Sequence, residues 1–288
     1  MVHADTVEPP AGAREITENH DTMNVPLGQV IANMTENCGR KIPWFVPAPE
    51  NKKTLVIVGG SPSLKDNLGL LKKHIKLGAH VCSLNGSLKY LQSIGVKPDY
   101  HAQFDARPDC ADFVKDAPKD VKYLIGSMSD PSVFENLDYH NVTLWHGGFD
   151  MDAMQEVLKP YQHKPIVIVG GGSTIGLRAM FLGYFMGYRK IIVFGMDSSF
   201  SGTDHHAYKQ GLNDKDQAMN VWVLKKQYQC SPWMYRQGLN FKDAYAQLSE
   251  NGCSIKVIGK GLIPDMCSYY NSLKSATISQ EKEKQCHL

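Results

Sequence analysis

The residues best equipped for chemistry fall in five short loops. The first, Gly59-Gly60-Ser61-Pro62-Ser63, follows an apolar run. Its glycines let the backbone approach a ligand closely. Ser61 or Ser63 can cap the next helix, whose N-terminus favours an anion. A tight strand–helix turn with a serine cap accounts for the same residues equally well. The second holds Asn85-Gly86, which reads either as a plain turn or as a site where the Asn85 carboxamide bonds a base or a ribose. The third runs from Asp105 through Arg107 to Asp109. Two carboxylates at this spacing could hold a divalent cation or orient a hydroxyl. Alternatively Asp105 pairs with Arg107 and Asp109 caps a helix; the capping role suits Asp109 better, the chemical role Asp105. The fourth, Gly170-Gly171-Gly172-Ser173-Thr174, is a second anion cradle or a second capped turn. The fifth begins Gly195-Met196-Asp197 and continues to His205, His206 and Tyr208. A histidine there could be a general base, a metal ligand or a phosphate contact. Surface histidine pairs are usually inert, but the position after a strand favours a role.

Placing these loops requires the elements between them. Apolar or β-branched runs predict strands at Thr54–Val58, His80–Leu84, Asp99–Phe104, Lys122–Ile125, Val142–Trp145, Pro165–Val169, Lys190–Phe194 and Ser254–Ile258. Helical spacing predicts helices at Leu64–Lys76, Ser87–Ile94, Asp109–Lys115, Asp150–Leu158, Ser173–Met186 and Phe241–Glu250. Strands alternating with helices predict an α/β fold, a Rossmann-like parallel sheet with helices on both faces. Ligands then sit beyond the carboxyl ends of the strands, where all five loops lie. Residues 1–51 read as an irregular, proline-punctuated extension with a short helix at Leu27–Asn37, Ile31 and Met34 sharing one face. Residues 52–274 read as the nucleotide-binding domain, and 275–288 as a polar, frayed tail.

Bulk properties narrow the class. The chain has 288 residues and a formal net charge of +2. That charge gives no electrostatic case for nucleic acid, although a specific site could still accept it as a substrate. The apolar stretches are strand-length, so no membrane span is expected. The first residues lack the apolar core of a signal peptide. Seven cysteines, an odd number with none at CxxC spacing, fit reduced thiols and a cytoplasmic location.

Several of these motifs together carry a resemblance. Val56–Leu64 (Val-Ile-Val-Gly-Gly-Ser-Pro-Ser-Leu), then Asn85-Gly86, then Gly95–Tyr100 leading to Asp105, resembles the MptE-like family. That family includes archaeal 6-hydroxymethylpterin pyrophosphokinases and the domain of Maf proteins linked to flagellar glycosylation. Gly172–Met180 and Gly187–Asp197 resemble the Maf pattern and that of bacterial sialyltransferases with a CMP-linked donor. The similarity runs from about Thr54 to Asp265. It implies a transferase that takes a nucleotide-activated sugar as substrate and an acceptor of unknown kind. Gly59, Gly60, Ser61, Ser63, Asn85, Gly86, Gly172, Ser173, Thr174 and Asp197 would bind the nucleotide. His205 or His206 would act as base, with Asp105 also at the reaction centre. Ser198-Ser199 stand where those sialyltransferases carry aromatic residues, so the donor is not fixed by the resemblance. The pyrophosphokinase branch implies instead ATP with Mg²⁺ held by Asp105 and Asp109. A non-catalytic nucleotide-binding protein is the third reading.

Overall fold

The computed structural model describes residues 25–200, 207–208 and 218–286. Eight strands form one all-parallel sheet: β1 (Thr54–Val58), β2 (His80–Leu84), β3 (Tyr100–Gln103), β4 (Lys122–Gly126), β5 (Val142–Gly147), β6 (Ile168–Val169), β7 (Lys190–Phe194) and, last in the chain, β10 (Ser254–Ile258). Between the last two lies an antiparallel hairpin, β8 (Met219–Val223) and β9 (Lys226–Cys230). The helices are α1 (Leu27–Cys38), α2 (Leu68–Lys76), α3 (Ser87–Ser93), α4 (Ser132–Glu135), α5 (Met151–Leu158), α6 (Ile175–Phe185), α7 (Pro232–Glu250) and α8 (Leu262–Cys286). The α/β architecture is the one the alternating pattern predicts.

Strand order is β10-β7-β1-β2-β3-β4-β5-β6. From β1 the chain winds outward as far as β6, then returns through α6 to lay β7 against the other side of β1. The strand order therefore reverses between β1 and β7, where open α/β sheets form a crevice. The strands are buried on both faces. In β1, Leu55 and Ile57 enter the core under α6, α7 and α8, while Val56 and Val58 enter the core under α2 and α3. That two-sided burial is why β1 reads as a continuous apolar run.

The structure differs from the sequence reading in four places. The helix expected from Leu64 begins as a 3-10 turn, Pro62–Asn67, because Pro62 fixes an early helical φ. Asp109–Lys115 is likewise 3-10, Pro108–Val114. The buried face of α1 carries Val30, Asn33, Met34, Asn37 and Cys38 rather than Ile31. Asn33 donates to the carbonyls of Ala106 and Met128, and Asn37 to those of Ser127 and Ser129. These carboxamides satisfy backbone groups just past β3 and β4 that would otherwise be buried without partners. The backbone from Ser275 continues as α8 to Cys286 instead of fraying.

After α1 the chain runs along the sheet. Trp44 makes a parallel bridge to Leu144, with Phe45 N–H on the Leu144 carbonyl (2.8 Å) and Leu144 N–H on the Pro43 carbonyl (2.9 Å). It fills the part of the β5 edge that β6, pairing only through His146 and Gly147, leaves open.

Candidate functional site

At the switch point the loops after β1, β7 and β10 pack on one another. Gly59 N–H donates to the Phe194 carbonyl (2.8 Å) and Ser61 N–H to the Gly195 carbonyl (3.0 Å). A Cβ on Gly195, whose φ is +65°, would lie 2.8 Å from the Gly59 carbonyl oxygen, and one on Gly59 would strike the Gly195 carbonyl. These glycines are needed first for loop-on-loop contact.

Asp197 ties the arrangement together. It is 2% exposed, and its two oxygens accept from Ser63 N–H (2.9 Å) and the Ser63 hydroxyl (2.5 Å). Its own N–H donates to the Ser61 hydroxyl (3.1 Å). Burial pushes the Asp197 carboxyl above the usual carboxylate range, against the two Ser63 bonds that favour the anion. Asp197 thus holds the first loop in place, with both its oxygens committed to that task.

The face of this crevice is built from Gly60, Asn85 and Tyr208. Val58 pairs in register with Ser83, so the loops holding Gly60 and Asn85 leave neighbouring strands. Asn85 adopts left-handed backbone, φ +46°, and its side-chain carbonyl oxygen is buried with no hydrogen-bond partner among the described residues. Ser87 secures the two strand ends, its hydroxyl donating to the Val58 carbonyl (2.6 Å) and accepting from Leu84 N–H (2.8 Å). Ala207 N–H donates to the Gly60 carbonyl (2.8 Å), and a Cβ on Gly60 would sit 2.5 Å from the Tyr208 hydroxyl. Tyr208 also stacks on Tyr90, with centroids 5.4 Å apart. The absent side chain of Gly60 is therefore the seat of Tyr208.

The Gly172 loop joins the same assembly through α7. Thr174 caps α6, accepting from Leu177 N–H, and also accepts from the Gln237 carboxamide (2.8 Å). The other end of Gln237 accepts from the Ser198 hydroxyl (2.5 Å). Ser173 donates weakly to Asn240, which occupies the space a Gly172 side chain would need. Gln237 thus connects the second glycine loop to the β7 loop. Nothing in its sequence context, the middle of an amphipathic helix, distinguishes it.

Of the candidates, Gly59, Gly60, Ser61, Ser63, Asn85, Gly86 and Asp197 come together at the β1–β2–β7 ends, with Thr174 linked through Gln237. Asp105 stands past β3, both its oxygens engaged by Arg107 (3.0 and 2.7 Å), and Asp109 is exposed. Among the described residues no group of three or more His, Cys, Asp or Glu is placed to hold a metal ion. The histidines His205 and His206 lie outside the described residues.

Sequence reasoning passed over Arg178. It is the only charged residue in α6, and that isolation was the available signal. Its guanidinium is 6% exposed, donates to the carbonyls of Val169 (2.7 Å) and Gly148 (2.5 Å), and covers the Phe104 ring at 4.7 Å. Burial lowers its pKa to about 10. Arg178 therefore clamps the paired ends of β5 and β6.

A Rossmann-like parallel sheet with its loops gathered at a strand-order reversal defines an α/β protein of the doubly wound class. The chain belongs to the MptE-like family, described as 6-hydroxymethylpterin diphosphokinase MptE-like, whose model matches residues 28–203. Among solved structures it is similar to a Maf glycosyltransferase from Magnetospirillum magneticum AMB-1, with a TM-score of 0.62 and 12% identity over 82% of this chain. The chain spans 37% of that protein's length. A mammalian sialyltransferase in complex with Gal-beta-1-3GalNAc-ortho-nitrophenol aligns at 11% identity over 83% of this chain and 88% of the other, with a TM-score of 0.39, too low to bear on the fold. No curated protein matches the chain. Among the described residues no helix is long and apolar enough to cross a membrane.

Proposed function

We propose that the chain is a nucleotide-dependent transferase whose donor binds across the carboxyl ends of β1, β2 and β7, and that it transfers a glycosyl group from a nucleotide-activated, CMP-type sugar. The observation that carries this reading is Asn85. Its side-chain carbonyl oxygen, buried without a donor among the described residues, is costly to leave unpaired. An N–H of a base or a hydroxyl of a ribose would complete it. In this reading the β1 loop, Gly59 to Ser63, takes the phosphates, and Asp197 acts on the ligand only by fixing Ser61 and Ser63. The resemblance to glycosyltransferases in Gly172–Met180 and Gly187–Asp197 supports glycosyl rather than phosphoryl transfer, with His205 or His206 as the base.

The family description favours a second reading, ATP-dependent pyrophosphoryl transfer with Mg²⁺ on Asp105 and Asp109. That reading requires Asp105 to exchange its bidentate Arg107 partner for the cation. A thermal-shift screen of CMP, CDP, UDP, GDP, ADP and ATP, with and without Mg²⁺, separates the two. A nucleotide at about a hundred times its Kd adds about 2.7 kcal/mol of stability. Cytidine nucleotides stabilising the chain without Mg²⁺, with hydrolysis of a CMP-sugar lost in His205→Asn or His206→Asn, is the expected result. AMP release from ATP that needs Mg²⁺ and Asp105 would replace the first reading with the second.

A further inference from the structure

The β8–β9 hairpin has one face that the core uses and one that it does not. On the inner face Val221 pairs with Tyr228, both buried. The Tyr228 hydroxyl and the Lys226 amine both donate to Asp265 in the first turn of α8 (2.7 and 2.6 Å). On the outer face the register sets Asn220 opposite Gln229 and Trp222 opposite Gln227, and all four side chains are exposed. Trp222 is 58% exposed, more than any other aromatic residue among the exposed large side chains. Burying it in the core would have been easy for a β-ribbon with a free choice of register, since shifting one residue exchanges the faces. The anchored inner face fixes the register and with it the indole's outward position.

An indole flanked by three carboxamides has a specific chemical complement. The ring offers a flat, weakly polar surface, and each carboxamide offers both a donor and an acceptor. None of the four side chains is charged. A peptide strand needs an open ladder edge more than a face, and a nucleic acid needs cations beside the aromatic ring. The Lys226 amine lies on the inner face, paired with Asp265. A pyranose ring matches all these features. Its C–H face stacks on an indole, and its equatorial hydroxyls each give and accept a hydrogen bond at the rim.

The hairpin also adjoins the crevice. Phe200 N–H donates to the Gln229 carbonyl (2.8 Å), so β9 continues the loop that carries Asp197. Ile263 N–H, two residues before the Asp265 anchor, donates to the Asp197 carbonyl (3.2 Å). The outer face is thereby fixed to the same rigid unit that holds the β1 loop.

We infer that the outer face of the β8–β9 hairpin, Asn220, Trp222, Gln227 and Gln229, is a carbohydrate-binding platform that seats an extended saccharide. Its role as the acceptor platform rests on the transferase reading; saccharide binding itself does not. The test uses the full chain without nucleotide. Tryptophan fluorescence and saturation-transfer NMR are measured against maltotetraose, cellotetraose, chitotetraose and mannotetraose at roughly millimolar concentration, the weak range for a small rim-exposed site. The expected result is saturable binding of at least one of them. Trp222→Ala weakens it about tenfold and Gln227→Ala about threefold, in line with aromatic anchors and hydrogen-bonding rims. Leu239→Ala, an exposed apolar residue elsewhere on α7, leaves it unchanged. No binding of any of the four sugars overturns the inference, as does binding indifferent to Trp222→Ala. Preferential, salt-sensitive binding of a short oligothymidylate overturns it in favour of nucleic acid. A Trp222-dependent dimer in sedimentation that binds no sugar overturns it in favour of a second copy. If cytidine nucleotides bind and sugars do not, the platform falls and the donor site stands. If sugars bind and no nucleotide does, the platform stands and the transferase reading falls.

Discussion

Two buried histidines carry a pH dependence that the candidate chemistry does not need. His101 is wholly buried between the Ser83 hydroxyl (3.0 Å) and the Gln103 carboxamide (3.4 Å), and His146 is 2% exposed with Nδ1 on the Ser127 hydroxyl (3.0 Å). Burial lowers the pKa of each to about 4, helped at His146 by the Lys164 charge. In the unfolded chain they titrate near 6.5, so between about 4 and 6.5 the unfolded state binds more protons. Stability is therefore complete above pH 6.5 and falls as the pH drops towards 4. From pH 7 to 5 each histidine should cost about 2 kcal/mol. Urea unfolding of His101→Gln and His146→Gln at both pH values should show a smaller acid loss than the parent; an equal loss would assign the acid sensitivity elsewhere. At Asn85 fold and ligand can be separated. Asn85→Gly keeps the left-handed backbone and removes the carboxamide, so its stability should stay within about 1 kcal/mol of the parent. Its nucleotide-induced thermal shift should disappear. A full shift in this variant would remove Asn85 from the site.

At the scale of elements, the two glycine loops differ in what their glycines do. Gly59→Ala places a methyl against the Gly195 carbonyl, backbone against backbone, in a loop pinned by Asp197. It should cost about 1–3 kcal/mol, the range for overpacking. Gly170→Ala meets nothing within 4 Å and should be close to neutral. Chemical denaturation of both tests the pair, and a neutral Gly59→Ala would show that the β1 and β7 loops yield easily. Most of the sheet was legible because strands buried on both faces form unbroken apolar runs, and the helices between them keep a period of 3.6. The hairpin was not, because Met219–Val223 and Lys226–Cys230 mix one buried residue type with polar neighbours that answer to the surface. Helix α8 was missed for a similar reason: beyond Ser275 its sequence is polar, and the apolar residues Leu262, Ile263, Met266 and Cys267 that it buries lie in its first turns. In the site, the glycine–hydroxyl loops stood out by type and position. Gln237, Asn33 and Asn37 did not, since a polar residue on a helix gives no sign that it faces a hydroxyl or a backbone carbonyl far along the chain.

At the scale of the molecule, residues 25–51, ahead of β1, belong to the packed structure. Val30, Met34, Cys38, Trp44 and Phe45 are each less than 9% exposed, and Asn37 serves two carbonyls past β4. Fully burying a large apolar side chain contributes about 1.5–3 kcal/mol. Several of them together rival the roughly 5–15 kcal/mol that holds a domain folded. A chain starting at residue 52 should therefore lack a cooperative thermal transition and elute in the void volume on size exclusion. A monomer with the parent's melting midpoint would show that the first segment only decorates the sheet. The segment was read from its prolines as irregular, and a proline-rich run does not reveal that it lies along a strand.

The brevity of β6 has an effect on how the chain behaves in a crowded solution. Polymerising β-sheets grow by adding strands to a long free border, and a border of two residues offers too few backbone bonds to hold a newcomer in register. The Trp44 bridge occupies the next position along β5, so no longer run is available behind it. At the opposite border β10 projects Ser254 and Lys256 outward from an otherwise apolar strand. Both borders of a sheet rich in valine and isoleucine are thus poor templates for fibril growth.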